Sequence, residues 1–85
     1  MIWAIVWAEP THRDMRRLPG DLRTRIADAV LRCATTGHGD VRALKGSKGE
    51  YRLRVGDWRV RFTRDAPSRT MTVLRVLPRG SAYRD

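Results

Sequence analysis

Two stretches of the chain alternate strictly between apolar and cationic side chains. One is Tyr51-Arg52-Leu53-Arg54-Val55, the other is Trp58-Arg59-Val60-Arg61-Phe62, and Gly56-Asp57 separates them. Strict alternation is the period of a strand with one buried face, and Gly-Asp suits a two-residue hairpin loop. In that register Val55 faces Trp58, Arg54 faces Arg59, Leu53 faces Val60 and Arg52 faces Arg61. The apolar set then points to one side of the sheet and all four guanidinium groups point to the other.

The rest of the chain reads around this hairpin. Ile2 to Trp7 is a continuous apolar run rich in β-branched and aromatic residues, which predicts a central strand covered on both faces. Thr11, with Pro10 before it and Asp14 three residues later, predicts the capped start of a helix; Met15 and Leu18 form its apolar stripe and Pro19-Gly20 ends it. Asp21 predicts the N-cap of a second helix, whose buried face is Leu22, Ile26, Ala29, Val30 and Cys33 and whose C-terminal stop is Gly37. Residues 38–49 read as a loop anchored by Val41 and Leu44. Asp65-Ala66-Pro67-Ser68 reads as a turn, Thr70 to Leu77 as a last strand, and residues 78–85 as a polar tail.

The predicted order is strand, helix, helix, strand, strand, strand. It implies a single α+β domain over residues 1–85: a small, mostly antiparallel four-stranded sheet with a two-helix hairpin packed on one face. Tyr51, Leu53, Val55, Trp58, Val60 and Phe62 would meet the helices, leaving the arginines on an open face.

Charge sharpens this picture. Lys and Arg number 18 against 9 Asp and Glu, a formal net charge of +9, and only Lys45 and Lys48 are lysines. Arginine presents a planar, permanently charged, bidentate donor set suited to phosphate and carboxylate. Like charges directly opposite each other destabilise a sheet, so two facing arginine pairs imply an anion to hold, and a nucleic-acid backbone is the repeating anion that fits. Glu50 shares the parity of Arg52 and Arg54 and can act as their salt-bridge partner or as a general base beside a phosphate. Arg79 and Tyr83, four residues apart, would share one side of a helical turn.

Other chemistry is disfavoured. Cys33 is the lone cysteine, so one chain can build neither a disulfide nor a cysteine-based metal site, in keeping with a reducing cytoplasm. His12 and His38 lack ligand-spaced partners, so no metal is expected. Lys45-Gly46-Ser47-Lys48-Gly49 has phosphate-loop residues in the wrong order and no strand before it. The apolar start is short and followed at once by Glu9-Pro10, unlike a signal peptide or a membrane span.

The order Ala43-Leu44-Lys45-Gly46, then the arginine hairpin, then Val76-Leu77-Pro78-Arg79-Gly80-Ser81-Ala82-Tyr83-Arg84 resembles the RelE/ParE toxin superfamily over nearly the whole chain. The resemblance implies the toxin half of a type II toxin–antitoxin module. Its RelE branch acts in the ribosomal A site, where it cuts mRNA by attack of a ribose 2′-hydroxyl on the neighbouring phosphate, with no metal or cofactor. By position it implies Arg52, Arg54 and Arg59 on the basic active-site face, Arg79 and Tyr83 as C-terminal catalytic residues, and Lys45 as RNA-binding; Lys48 and Arg61 are expected to bind RNA beside them. Arg59 and Arg79 are expected to be exposed. Some RelE members carry lysines where this chain has Arg52 and Arg54, and an arginine cannot give up its proton, so the candidates left are Glu50, Tyr83 or a water as general base, or catalysis by electrostatics alone. The implied partners are an acidic antitoxin, the ribosome with its mRNA, and operator DNA reached through the antitoxin, all in the cytoplasm and without a membrane. A ParE-like inhibitor of DNA gyrase on the same fold is the alternative, and a non-toxic nucleic-acid-binding module is a third.

Overall fold

The structure is a computed structural model that describes residues 2–46 and 49–81. Along the chain it runs β1 (Ala4–Trp7), α1 (Glu9–Arg16), α2 (Gly20–Thr36), β2 (Asp40–Ala43), β3 (Glu50–Val55), β4 (Trp58–Asp65) and β5 (Thr70–Pro78), ending in a 3₁₀ turn, Arg79–Ser81. The strands form one sheet in the order β1-β5-β4-β3-β2. The β1–β5 pair is parallel and the other three pairs are antiparallel.

The expected α+β class, the two helices on one face and the mostly antiparallel sheet are all present. The strand count is not: the sheet has five strands, because Asp40–Ala43, expected as loop, pairs antiparallel with β3 from Asp40↔Arg54 to Ala43↔Tyr51. Four residues with only two apolar members, Val41 and Ala43, carry too little period to announce a strand; the longer neighbour β3 supplies the hydrogen bonds that make one. The apolar start is also placed differently. β1 is an edge strand paired only with β5, not a covered central strand. Trp3, Ile5 and Trp7 pack against the core, while Val6 faces away and is 47% exposed.

α1 begins at Glu9, before the expected Thr11, with Ala8 as its N-cap and no side-chain cap. Pro10 lies in the first turn, where its missing N–H costs nothing, and the Thr11 hydroxyl donates back to the Ala8 carbonyl at 2.6 Å. α2 starts at Gly20, so Asp21 sits in its first turn near the positive end of the helix dipole instead of capping it. Its end is as expected: Gly37 has φ 77 and its N–H donates to the Cys33 carbonyl at 3.0 Å. Ile26, Val30, Cys33 and Ala34 of α2 meet Leu53, Val55, Val60, Phe62, Met71, Val73 and Val76 of the sheet to form the core.

α1 covers β5 where β1 stops. The β1 pairing ends at Trp7↔Val73, and the Ala8 N–H donates to the Val73 carbonyl at 2.9 Å. Beyond that point no strand among the described residues lies along this edge of β5. Asp14 of α1 takes that place: Oδ2 accepts the Val76 N–H at 2.9 Å and Arg75 Nε at 2.8 Å, and Oδ1 accepts an Arg75 terminal nitrogen at 3.1 Å. Asp14 was read as a capping acid; it is a strand-edge cap instead, its side chain only 5% exposed. Burial by itself raises its pKa, but the hydrogen bonds from Arg75 and Val76 and the charges of Arg75 and Arg17 together outweigh burial and hold it below the ordinary value.

A carboxylate with a lowered folded-state pKa stabilises the fold above the unfolded pKa, about 3.9, and that contribution is lost as pH falls through the lower folded value. Acid titration of urea stability is therefore expected to fall below about pH 4. Asp14→Asn should lower neutral-pH stability by about 1–3 kcal/mol and flatten that acid limb. A second test concerns the entry to β2. A Cβ on Gly39, whose φ is 149, would lie 2.8 Å from Leu53 Cδ1, so Gly39→Ala should cost about 1–3 kcal/mol in the same assay.

Candidate nucleic-acid interface

The hairpin register is the expected one: Val55↔Trp58, Arg54↔Arg59, Leu53↔Val60 and Arg52↔Arg61. Gly56 has φ 59 while Asp57 keeps a negative φ, as a glycine-first two-residue loop requires. Residues directly opposite each other share a face, so the four arginines lie together on the side away from the helices.

The flanking strands lengthen this set. Arg42 of β2 faces Arg52, and Arg75 of β5 faces Arg61, so one row runs Arg42, Arg52, Arg61, Arg75 across four strands. Three strand spacings of about 4.8 Å make this row about 14 Å long. A second row runs Asp40, Arg54, Arg59, Leu77. A β-bulge makes the first row possible. Pairing between β4 and β5 slips after Arg61, so Phe62 faces Val73 and Leu74 is the extra residue. Met71 and Val73 are buried before the slip and Val76 after it. Without the extra residue Arg75 would fall on the core side.

Carboxylates sit at the margins of this surface. Glu50 Oε2 accepts Arg61 Nε at 3.0 Å and a terminal nitrogen at 2.6 Å, which is the salt-bridge role and not an unengaged base. Asp40 lies 3.6 Å from Arg52 and 4.0 Å from Arg54. Arg54 still presents its guanidinium outward, with a side chain 56% exposed. Arg52 is tucked in, and its guanidinium also donates to the Asp40 carbonyl at 3.4 Å.

Arg59 departs from expectation. It was expected to be exposed, but the residue is 7% exposed. One terminal nitrogen donates to the Gly56 carbonyl at 3.0 Å and to the Trp58 carbonyl at 3.1 Å, so the side chain curls back onto its own hairpin loop. Arg79 is exposed as expected, on the 3₁₀ turn after β5, and its backbone N–H donates to the Asp57 carbonyl at 2.9 Å. Lys45 is exposed in the turn between β2 and β3, at the other end of the six-residue β3, about 17 Å away. Tyr83 and Lys48 lie outside the described residues. The face therefore brings together Arg52 with Arg61 and, one step nearer the hairpin loop, Arg54 with Arg59; Arg79 follows β5 beside that loop, and Lys45 lies apart from them.

Arg42 and Arg75 were not singled out in the sequence. Arg42 repeats the alternation of the hairpin, since Val41-Arg42-Ala43 pairs with Leu53, Arg52 and Tyr51, but over too few residues to read. Arg75 needed the bulge. Not every arginine joins this face: Arg64 lies on the helix side, its guanidinium carbon 4.2 Å from the centre of the Tyr51 ring.

Cys33 is buried and burial pushes its thiol pKa up, partly offset by Arg64, so it is a packing residue and not a nucleophile. Among the described residues no three His, Cys, Asp or Glu side chains are grouped to hold a metal ion. No helix among them is long and apolar enough to cross a membrane.

The chain is similar to known proteins over nearly its whole length. Residues 5–83 match the family described as ParE toxin of type II toxin-antitoxin system, parDE. Toxin RelE3 of Methanocaldococcus jannaschii is 29% identical over 84 residues, covering 93% of each chain. Among solved structures, the archaeal RelE–RelB complex from Pyrococcus horikoshii OT3 superposes with a TM-score of 0.79 at 23% identity, covering 96% of this chain and 100% of the other. The RelB–RelE antitoxin–toxin complex from Methanococcus jannaschii gives 0.75 at 28% identity, over 92% and 94%. With the family match spanning almost all of the sheet and both helices, the chain belongs to the ParE toxin family of type II toxin–antitoxin systems, within the RelE/ParE superfamily.

Proposed function

We propose that this type II toxin is a ribosome-dependent mRNA endoribonuclease. The observation that carries the reading is the register-locked set of arginines on one sheet face, the exposed guanidinium of Arg54 among them, with the exposed Arg79 just beyond β5. In the proposed reaction a ribose 2′-oxygen attacks the adjacent phosphorus, a 2′,3′-cyclic phosphate forms, and the 5′-oxygen leaves with a proton. Negative charge builds on the non-bridging oxygens on the way. Fixed guanidinium donors stabilise that charge more than they stabilise the ground state. They cannot take the 2′-hydroxyl proton, which must pass to another group. Tyr83 would orient or stack on the reacting nucleotide, as the resemblance implies. The ribosome would supply alignment of the 2′-oxygen with the leaving group, so activity on naked RNA is expected to be weak.

The proposed partner is an acidic antitoxin, whose carboxylates would complement the cationic face. The relatives crystallised as RelE–RelB complexes support such a partner. Contact with operator DNA would come through the antitoxin, and a ribosomal substrate implies a cytoplasmic location.

The family's ParE name favours a second reading, inhibition of DNA gyrase. The dense arginine face and the similarity to Toxin RelE3 weigh toward RNA cleavage. Mapping transcript 5′ ends after brief expression separates the two. Cuts in phase with codons, with protein synthesis stopping first, are the expected outcome; DNA breaks and filamentous growth arising first would transfer the assignment to gyrase. Arg54→Ala and Arg79→Ala alter exposed side chains, so both should keep the wild-type melting temperature and lose about a hundredfold in cleavage. Undiminished toxicity in both variants would overturn the site.

A further inference from the structure

Every ion pair among the described residues has its cation on the sheet: Arg52, Arg54, Arg61 or Arg75. A second group of arginines has no such partner. Arg13 and Arg16 are exposed on α1, and Arg17 is exposed at its C-cap. Arg23, exposed in the first turn of α2, bends back so that a terminal nitrogen donates to the Leu18 carbonyl at 3.4 Å. Among the described residues none of these four lies within 4.0 Å of a carboxylate. Asp14 is taken by Arg75, and Glu9 stands one turn before Arg13 without pairing with it.

Position separates this cluster from the arginine face of the sheet. Thr11, Asp14 and Leu18 mark the buried side of α1, which packs on β5, and Arg13 and Arg16 lie on the opposite side of the helix. At about 1.5 Å of rise per residue, Arg13, Arg16 and Arg17 start within about 6 Å of one another along the helix axis. The helix dipole favours cations in a last turn, but cations three and four residues apart repel each other. The exposed residues of α1 are Glu9, Pro10, His12, Arg13 and Arg16. A protein partner needs a large apolar or aromatic anchor at the centre of its footprint, and this side exposes no large apolar side chain. A phosphate backbone needs only closely spaced donors. Donors fixed on a helix suit phosphates that hold still, as those of a duplex do, and duplex RNA is recognised by shape and backbone.

We infer that the outer side of α1, with Arg23 beside it, is a docking surface for base-paired RNA. On the ribosome it grips folded ribosomal RNA while the sheet face takes the mRNA. That the duplex is ribosomal rests on the nuclease reading; the affinity for duplex RNA does not.

The test compares Arg13→Gln/Arg16→Gln/Arg17→Gln with Arg25→Gln/Arg32→Gln/Arg69→Gln, which removes the same charge elsewhere. All six side chains belong to exposed residues and glutamine is a good helix former, so both variants should keep the wild-type melting temperature. If the α1 variant does not fold, Arg13→Gln/Arg16→Gln is read the same way, with about two-thirds of the effect. Binding is measured against KCl concentration for two probes, an RNA duplex of about 20 base pairs and purified ribosomes. For the α1 variant the slope of log K against log salt should fall by about 2–3 on both probes, with about a tenfold loss of affinity at low salt. The other variant should stay within about threefold of wild type. Equal losses in the two variants would mean that net charge alone is at work and overturn the inference. An unchanged slope on the duplex would overturn it as well, and a loss confined to ribosomes would make a ribosomal protein the partner. If even the wild-type toxin does not bind ribosomes, the nuclease reading fails, and the duplex measurement still decides the surface.

Discussion

The two-residue loop at Gly56-Asp57 is the constraint on which the surface depends. A loop of that length admits one pairing of β3 with β4, and a slip by one residue would send every arginine of one strand into the core. With the register fixed, Leu53, Val55, Val60 and Phe62 are buried and Arg52, Arg54, Arg59 and Arg61 share the other side. The surrounding elements extend this arrangement: β2 adds Arg42 to the row, and the bulge at Leu74 turns Arg75 onto it. The cationic face follows from backbone geometry first and from side-chain chemistry second.

Electrostatics then decides which guanidinium groups remain available. Facing cations repel, and the fold answers with acids at the periphery: Asp40 beside Arg52 and Arg54, Glu50 on Arg61, and Asp14 on Arg75. The Asp40 contacts, with that carboxylate about half exposed, add little to stability, unlike the buried Asp14 carboxylate. The acids act on distribution, since Arg61 and Arg75 are tied to close carboxylates while Arg54 stays outward. Among the described residues, Arg59 is held by carbonyls and by no carboxylate. A face of six arginines therefore holds several kinds of cation, and a substrate phosphate would meet only some of them.

Much of the fold was legible because it rests on long, regular patterns. The hairpin register, the buried stripe of α2 and the Gly37 stop are each fixed by spacing that no tertiary contact overrides. What was missed depends on partners distant in sequence. β2 exists because β3 is there to pair with it. β1 lies at an edge because the helices lead the chain away from it on one face. Asp14 looked like a capping acid because its real partners, Arg75 and Val76, come from the last strand. The same limit applied to the site. Alternation gave the side of the sheet on which Arg59 lies, but not that its long side chain would fold back onto the loop.

The parallel pairing of β1 with β5 joins Ala4 to Thr70, the first strand to the last. Contacts so far apart in sequence close a long loop and form late. Until β5 is in place, β1 has no strand to pair with and the Asp14 carboxylate lacks its Arg75 and Val76 donors. The row that ends at Arg75 is complete only when the last strand has docked against β4. Closing the sheet and finishing the cationic surface are therefore one event, and a chain caught before it has neither.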